Sequence, residues 1–423
     1  MLRGSRTSSG IDTASSTYPW VLLGLLWLVS LFNAADRSIL IAVMPQLRVA
    51  FNLDRTQLAL LNSLFLGVYA ICAFFSGILG DTVRRSRIVI YGLMLWSVST
   101  GVCSLAMSFP MLLALRAAVG VGESSYYPAG TALIGDWFKP AFRSRALSLH
   151  QTAIFAGGGI GALAAALLAD RLGWRAPFMI FAGIGVVHAF VLLRFLKDRP
   201  GAVGTTKPRA SLTPLKVLFK TRSAMMLCGV FALGAGAATG IQVWAPTYVH
   251  DSLKLSLAGS AFYGSASVNL AGFVSVPLGG VLADILTKRY ATGRFLTLAI
   301  GLGMAGLMLL PLAHAHTAVE IGLILLAASF GKGLFDGCIY AAMQDVIPPA
   351  GRSTAVGFMT MTGFIGGGVA PLLIAKLAGP FGMAAAITSM ALLYFAAAVI
   401  LLASTRRTGR DIRAAAAALE TPA

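Results

Sequence analysis

The chain has 423 residues, of which 57% are hydrophobic and only 11% charged, with a mean hydropathy of +0.81 and a formal net charge of +18. Soluble domains carry roughly a quarter charged residues, so this composition excludes a soluble fold and, with it, a domain count from length. A positive excess of this size would point to nucleic acid in a soluble protein; here its distribution along the chain gives another cause.

Residues 1–18 are polar and Ser/Thr-rich and read as a disordered cytoplasmic tail. The first apolar run, 20–44, is too long for a signal-peptide core of ~7–15 residues, so it reads as a retained membrane helix. Eleven further runs follow, at 57–80, 88–107, 110–135, 144–169, 176–196, 223–248, 260–284, 295–314, 318–343, 353–378 and 381–404. Runs of about twenty apolar residues match a bilayer core, and in lipid a single segment satisfies its backbone only as a helix. The expected fold is therefore all-α, with twelve transmembrane spans. Residues 19–196 form an N-terminal six-helix bundle and 223–404 a C-terminal one. A Pro/Gly-containing basic linker, 197–222, lies between them on anionic headgroups, and 405–423 is a second cytoplasmic tail.

Of the 33 Lys and Arg residues, three (Arg37, Arg116 and Lys332) fall inside spans. Six (Arg48, Arg55, Arg171, Arg175, Lys254 and Lys376) fall on one side, and the remaining 24 on the side of the termini. The positive-inside rule then puts both termini in the cytoplasm of an inner-membrane protein, and the +18 needs no nucleic-acid partner. Cys72, Cys103, Cys228 and Cys338 lie in apolar runs without metal or redox spacing, so no disulfide framework is expected.

The halves repeat. "DWFKPAFRSRA" from Asp136 and "DVIPPAGRSTA" from Asp345 agree at six of eleven positions at an offset of 209, where "FAGGG" (155–159) also overlies "FIGGG" (364–368). "GILGDTVRR" (77–85) is echoed by "GVLADILTK" (280–288). Parallel repeats of this kind suit transporters that rock one half against the other. The glycine runs lack the strand and the Lys-Ser/Thr of a phosphate loop and read as close helix packing. No ATPase motif, metal cluster or nucleophile–base set appears. The expectation is a transporter, not an enzyme, without metal or cofactor.

Six ionisable residues lie at membrane depth: Asp36, Arg37, Arg116, Glu123, Lys332 and Asp336. Facing lipid they would cost on the order of 15–20 kcal/mol together, so they must face one another or a wet cavity. Arg116 and Glu123 share a helix face about 10 Å apart along the axis, which leaves each in need of another partner. Asp36 and Arg37 diverge by about 100°, so one should face the cavity and the other a neighbouring helix. Lys332 and Asp336 are four apart, within ion-pair reach. Tyr126 and Tyr127 flank Glu123, and Gln151, Gln242, Trp244 and Tyr340 are further polar candidates on inner helices.

The G-x-x-x-D-x-x-x-R stretch of Gly77, Asp81 and Arg85, its weaker copy at Asp284 and the six-plus-six layout resemble the major facilitator superfamily. The resemblance implies that Asp81 faces the N-terminal end of span 11 near Arg352 when the cytoplasmic side is closed. Gly77, Arg85, Asp284, Arg143 and Arg352 complete this latch set. "N-x-x-D-R" at Asn33–Arg37 and "R-x-x-x-G-x-x-E" at Arg116–Glu123 resemble two branches, the anion:cation symporters and the spinster-like proteins linked to lysolipids. The first resemblance implies that Asp36 and Glu123 couple protons and that Arg116 meets a substrate carboxylate. Arg37, Tyr126, Tyr127, Gln151, Gln242, Trp244, Lys332, Asp336 and Tyr340 are carried as substrate-binding candidates. "YYPAG" and "GWRAPF" favour the first branch, "GVGESSY" and "FRSRALSL" the second. The expected partners are a small organic anion or a lysolipid, protons and the bilayer, with the protein a monomer.

Overall fold

A computed structural model describes residues 17–138, 140–199, 213–347 and 352–420. Among them all regular structure is helical. Eleven helical segments are long and apolar enough to cross a bilayer. Span 1 is Tyr18–Phe51 and span 2 begins at Arg55 and runs to Thr82; span 3 is Arg85–Cys103, span 5 Pro140–Leu172 and span 6 Arg175–Phe195. Span 7 is Arg222–Leu253, span 9 begins at Gly293, span 11 is Arg352–Phe381 and span 12 covers Met383–Ala403. Several overrun the apolar runs at both ends, because charged residues that end a hydrophobic run also make good helix termini in water.

The expected single fourth span is divided instead, into Phe109–Ser124 and Tyr126–Trp137. Pro128 is the cause. It has no N–H for the carbonyl of Ser124, and its ring crowds that carbonyl. The hydroxyls of Ser124 and Ser125 add to the break by bonding backward to the carbonyls of Val121 and Gly122. Span 10 is divided in the corresponding region, into Ala318–Asp336 and Ile339–Val346. Span 8 opens with Leu257–Ala261, passes through a π-turn at Phe262–Ala266 and continues as Ser267–Arg289. Two helices lie outside the spans, Thr213–Lys220 in the linker and Thr405–Glu420 in the C-terminal tail.

Internal symmetry is plainest where helices touch. The carbonyls of Gly92 and Gly122, in spans 3 and 4, face each other's α-carbons, and a methyl on Gly122 would sit 2.7 Å from the backbone nitrogen of Trp96. At the same offset Gly301 and Gly331 repeat the contact in spans 9 and 10, and a methyl on Gly331 would sit 2.6 Å from the nitrogen of Ala305. Such backbone approach is how helices pack where lipid supplies no hydrophobic drive. The repeat also carries charge. Arg85 pairs with Asp136, and Arg294 pairs with Asp345 at 2.6 Å, both over a chain separation of 51 residues. Each pair ties the start of one span to the end of the next on the face that bears the termini.

On the opposite face polar contacts join the two bundles. Arg48, at the end of span 1, holds Asp251, at the end of span 7, through two bonds of 2.6 and 2.8 Å. Arg55 donates to the carbonyl of Ala378 at 3.2 Å, from span 2 to span 11. The Asp170 carboxylate, at the end of span 5, accepts from the backbone N–H groups of Leu257 and Ala258 at 3.0 and 2.9 Å. It therefore caps the positive N-terminal end of span 8, where a carboxylate is favoured.

Candidate functional site

Span 1 carries Asp36 and Arg37 to mid-membrane, and the two diverge as adjacent helical residues must. Asp36 is buried and accepts a hydrogen bond from the Thr100 hydroxyl of span 3 at 2.7 Å. Arg37 crosses to span 4, where its Nε donates to Glu123 Oε2 at 2.7 Å. The Arg37 side chain keeps 29% exposure while Glu123 has none. The Arg37 guanidinium lies 4.6 Å from the Tyr69 ring centroid, and Tyr69 of span 2 in turn packs against Phe364 of span 11 with ring centroids 4.7 Å apart. Arg37 thus sits where the bundles meet, its charge shared between a buried acid and an open side.

Arg116 stands elsewhere. It is 1% exposed, and its guanidinium lies 4.7 Å from the Phe65 ring centroid. The Arg37 guanidinium lies 5.6 Å from the same ring centroid, so the two arginines flank Phe65 next to Glu123 and Asp36. Asp36 and Arg37 thus take different hydrogen-bond partners, Thr100 on span 3 and Glu123 on span 4. Two acids and two bases form one cluster, neutral when all are ionised. Breaking a buried ion pair leaves an uncompensated charge that costs several kcal/mol.

Tyr126 is buried, and its hydroxyl meets both the Leu26 carbonyl at 2.5 Å and His150 Nε2 at 2.6 Å. A carbonyl only accepts, so the tyrosine proton goes to Leu26 and His150 donates from Nε2. This fixes the imidazole tautomer. Tyr126 therefore braces the second half of span 4 against spans 1 and 5. Tyr127 is partly exposed and its hydroxyl accepts from Gln151 Nε2 at 2.8 Å. Trp244 is fully buried and donates to the Pro371 carbonyl at 3.0 Å, a packing contact between spans 7 and 11. Gln242 is half-buried on span 7.

In the C-terminal bundle Lys332 binds both oxygens of Asp336 at 2.6 Å, within one helix. Lys332 is nearly buried and Asp336 is a third exposed. Tyr340 is exposed nearby and packs on Phe231, which also stacks on Phe335. Of the latch set, Asp284 lies 3.6 Å from Arg294 and is mostly exposed. The side chains of Asp81, Arg143 and Arg352, and the surroundings of Gly77, lie outside the described residues.

The sequence reading did not single out Thr100, Phe65, Tyr69 or His150, and nothing in their spacing would have found them. Arg85–Asp136 and Arg294–Asp345 were within reach, since Asp136 and Asp345 mark the repeat and both arginines sit at the same offset.

Long helices in two related sets, cross-bundle contacts on one face and a charge cluster at mid-membrane define a polytopic membrane transporter. The family model "Major Facilitator Superfamily" matches residues 26–371, and the chain belongs to that family. "Protein spinster" of Drosophila melanogaster is 30% identical over 81% of this chain, and this chain covers 59% of that relative's length. The "Hexuronate transporter" of Bacillus subtilis is 25% identical, with 82% of this chain and 85% of that one covered. A solved structure titled as a bacterial homolog to the human lysosomal transporter spinster, inward-facing and occupied, superposes with a TM-score of 0.83. It shares 19% identity and covers 94% of this chain and 99% of its own. These are transporters rather than enzymes.

Proposed function

We propose that the protein is a proton-coupled symporter of a small organic anion that works by alternating access. The observation that carries this reading is Arg37, open on one side and bonded to the fully buried Glu123 on the other. An anion entering from the open side competes for the guanidinium. Glu123 then loses its counter-charge and, being buried, is neutralised by a proton. Anion and proton arrive together, and the cluster stays neutral throughout. Asp36, tied to the same charges, is the second proton-coupling acid. Lys332, with Asp336 as its local partner, offers the anion a second cationic contact from the opposite bundle. Tyr127, Gln151, Gln242 and Tyr340 offer polar contacts around it.

In this reading both termini are cytoplasmic, and the linker 197–222 lets two bundles, 19–196 and 223–404, rock as a monomer in the inner membrane. Arg48–Asp251 and Asp170 on span 8 hold the outer face closed. Asp81 on span 11 holds the inner face closed in the alternate state, so Asp81→Asn slows transport and leaves substrate binding in place.

A second reading has its own support. A groove of about 490 Å³ runs between spans 5 and 8, lined by Phe155, Ile160, Leu163, Phe262, Leu270 and Phe273. Such a wall suits an amphiphile's chain, and the spinster relatives share this fold. Proteoliposomes loaded with a pH dye separate the two. D-glucuronate or D-glucarate uptake with internal acidification, lost in Glu123→Gln, supports the symporter. Movement of lysophosphatidylcholine alone, with neither sugar acid carried, replaces it with the amphiphile transporter.

A further inference from the structure

The two arginines of the cluster are chemically alike and placed differently. Arg37 has an open side; Arg116 has none, and its Nε and both terminal nitrogens are buried without reaching a protein acceptor. Its flat face is taken up by Phe65. Two other buried atoms of spans 1 and 4 also lack a protein partner, Glu123 Oε1 and Asn33 Nδ2. A guanidinium presents five N–H donors, and buried polar groups without protein partners are met by ordered water. The titratable groups in and around the cluster are Asp36 and Arg37 from span 1, Tyr69 from span 2, Cys103 from span 3 and Glu123 from span 4. From span 5, His150 is engaged with Tyr126.

We infer that Arg116 is a positioning residue. Its fixed charge, enclosed beside the cluster, sets how tightly Asp36 and Glu123 hold a proton, and it does not touch the transported anion. This departs from the role that the span 4 arginine takes in the anion-symporter resemblance. The reason is steric: Phe65 closes the stacking face, and no edge of the guanidinium reaches the open side that Arg37 occupies. The division of labour follows. Arg37 exchanges partners during the cycle. Arg116 keeps the acids from both becoming neutral when Arg37 is drawn away.

The inference rests on the reading of Asp36 and Glu123 as proton carriers, and its test needs no substrate. Infrared titration follows the C=O band of protonated buried carboxyls in the purified, lipid-reconstituted protein, with Asp36→Asn and Glu123→Gln assigning the band. Arg116→Gln should move the pH at which the band disappears upward by about 1 unit or more, the direction expected when an opposite charge is removed. Arg116→Lys, which keeps the charge, should stay near the parent. An unmoved band in Arg116→Gln overturns the inference. D-glucuronate uptake gives an independent arm if Arg116→Gln does not fold. In Arg116→Lys the KM should stay within about threefold of the parent, whereas Arg37→Lys should raise it tenfold or more, because a lysine does not replace the guanidinium fork at an anion contact. The reverse order of the two KM values overturns the inference. If neither sugar acid is carried, the symporter reading fails while the infrared titration still decides the role of Arg116.

Discussion

The two bundles keep the same framework and spend their buried charges differently. Arg85–Asp136 and Arg294–Asp345 are copies of one contact, as are Gly92–Gly122 and Gly301–Gly331. At membrane depth the copies part. The N-terminal bundle joins spans 1, 3 and 4 through a four-charge cluster with Thr100, whereas the C-terminal bundle closes Lys332 onto Asp336 within a single helix. Duplication preserved what ties helices together and freed what handles charge. A pair inside one helix is satisfied in every conformation of that helix. A pair between helices changes when the helices move, and in the proposed symport only this second kind would couple a guest to a proton.

The largest effect should therefore come from the N-terminal cluster. Glu123→Gln should abolish anion-driven acidification in dye-loaded proteoliposomes, a loss of two orders of magnitude or more. Lys332→Gln should lower the apparent anion affinity by about tenfold, the value of one charge-assisted contact of roughly 1.5 kcal/mol, and leave acidification coupled to uptake. Uncoupled uptake in Lys332→Gln would mean that the C-terminal half also carries protons and would erase the contrast between the halves.

The outer contacts come next. Asp170 caps span 8 and Asp251 receives Arg48, so each ties one bundle to the other. Asp170→Asn and Asp251→Asn should each shift the equilibrium toward an open outer face by one to two kcal/mol, about 5–30-fold in population. Asn62, buried on span 2 below Arg55, makes a suitable reporter: a cysteine there should react faster with a membrane-impermeant thiol reagent in both variants. An unchanged rate would show that packing alone seals that face.

Much of this could be read from residues alone, and the failures are instructive. The twelve runs were legible because lipid permits few alternatives, and the two bundles because a repeat of 209 residues survives in Asp136 and Asp345. The division of span 4 at Ser125 was not, because Pro128 sits inside an unbroken apolar run and its effect depends on whether the helix tolerates it. The charged candidates were legible from cost: no other reason places six ionisable groups in lipid. Of their pairings only Lys332–Asp336 was, from its four-residue spacing; those between helices were not. Helical angles say that Arg116 and Glu123 share a face, but the partner of Glu123 came from span 1 and that of Arg116 was the Phe65 ring. Partners across helices depend on how bundles pack, which a single-helix projection does not contain.

The smallest effect tests the shared framework itself. Arg85–Asp136 and Arg294–Asp345 are partly exposed, with side-chain exposures between 17% and 26%, so solvent screens much of their attraction. Each of Asp136→Asn and Asp345→Asn should cost about 1 kcal/mol or less, read as a fall of a few degrees in Tm in detergent. Asp284, 3.6 Å from Arg294, gives the C-terminal arginine a fallback acid, which should bring the Asp345→Asn loss to the lower end. The two sites lie in separate bundles, so the double variant should show the sum of the single losses within about 0.5 kcal/mol. A double variant far less stable than that sum would mean that the pairs communicate. The repeated contact would then belong to the moving parts and not to the scaffold, and the distinction between preserved framework and divergent charge would fall.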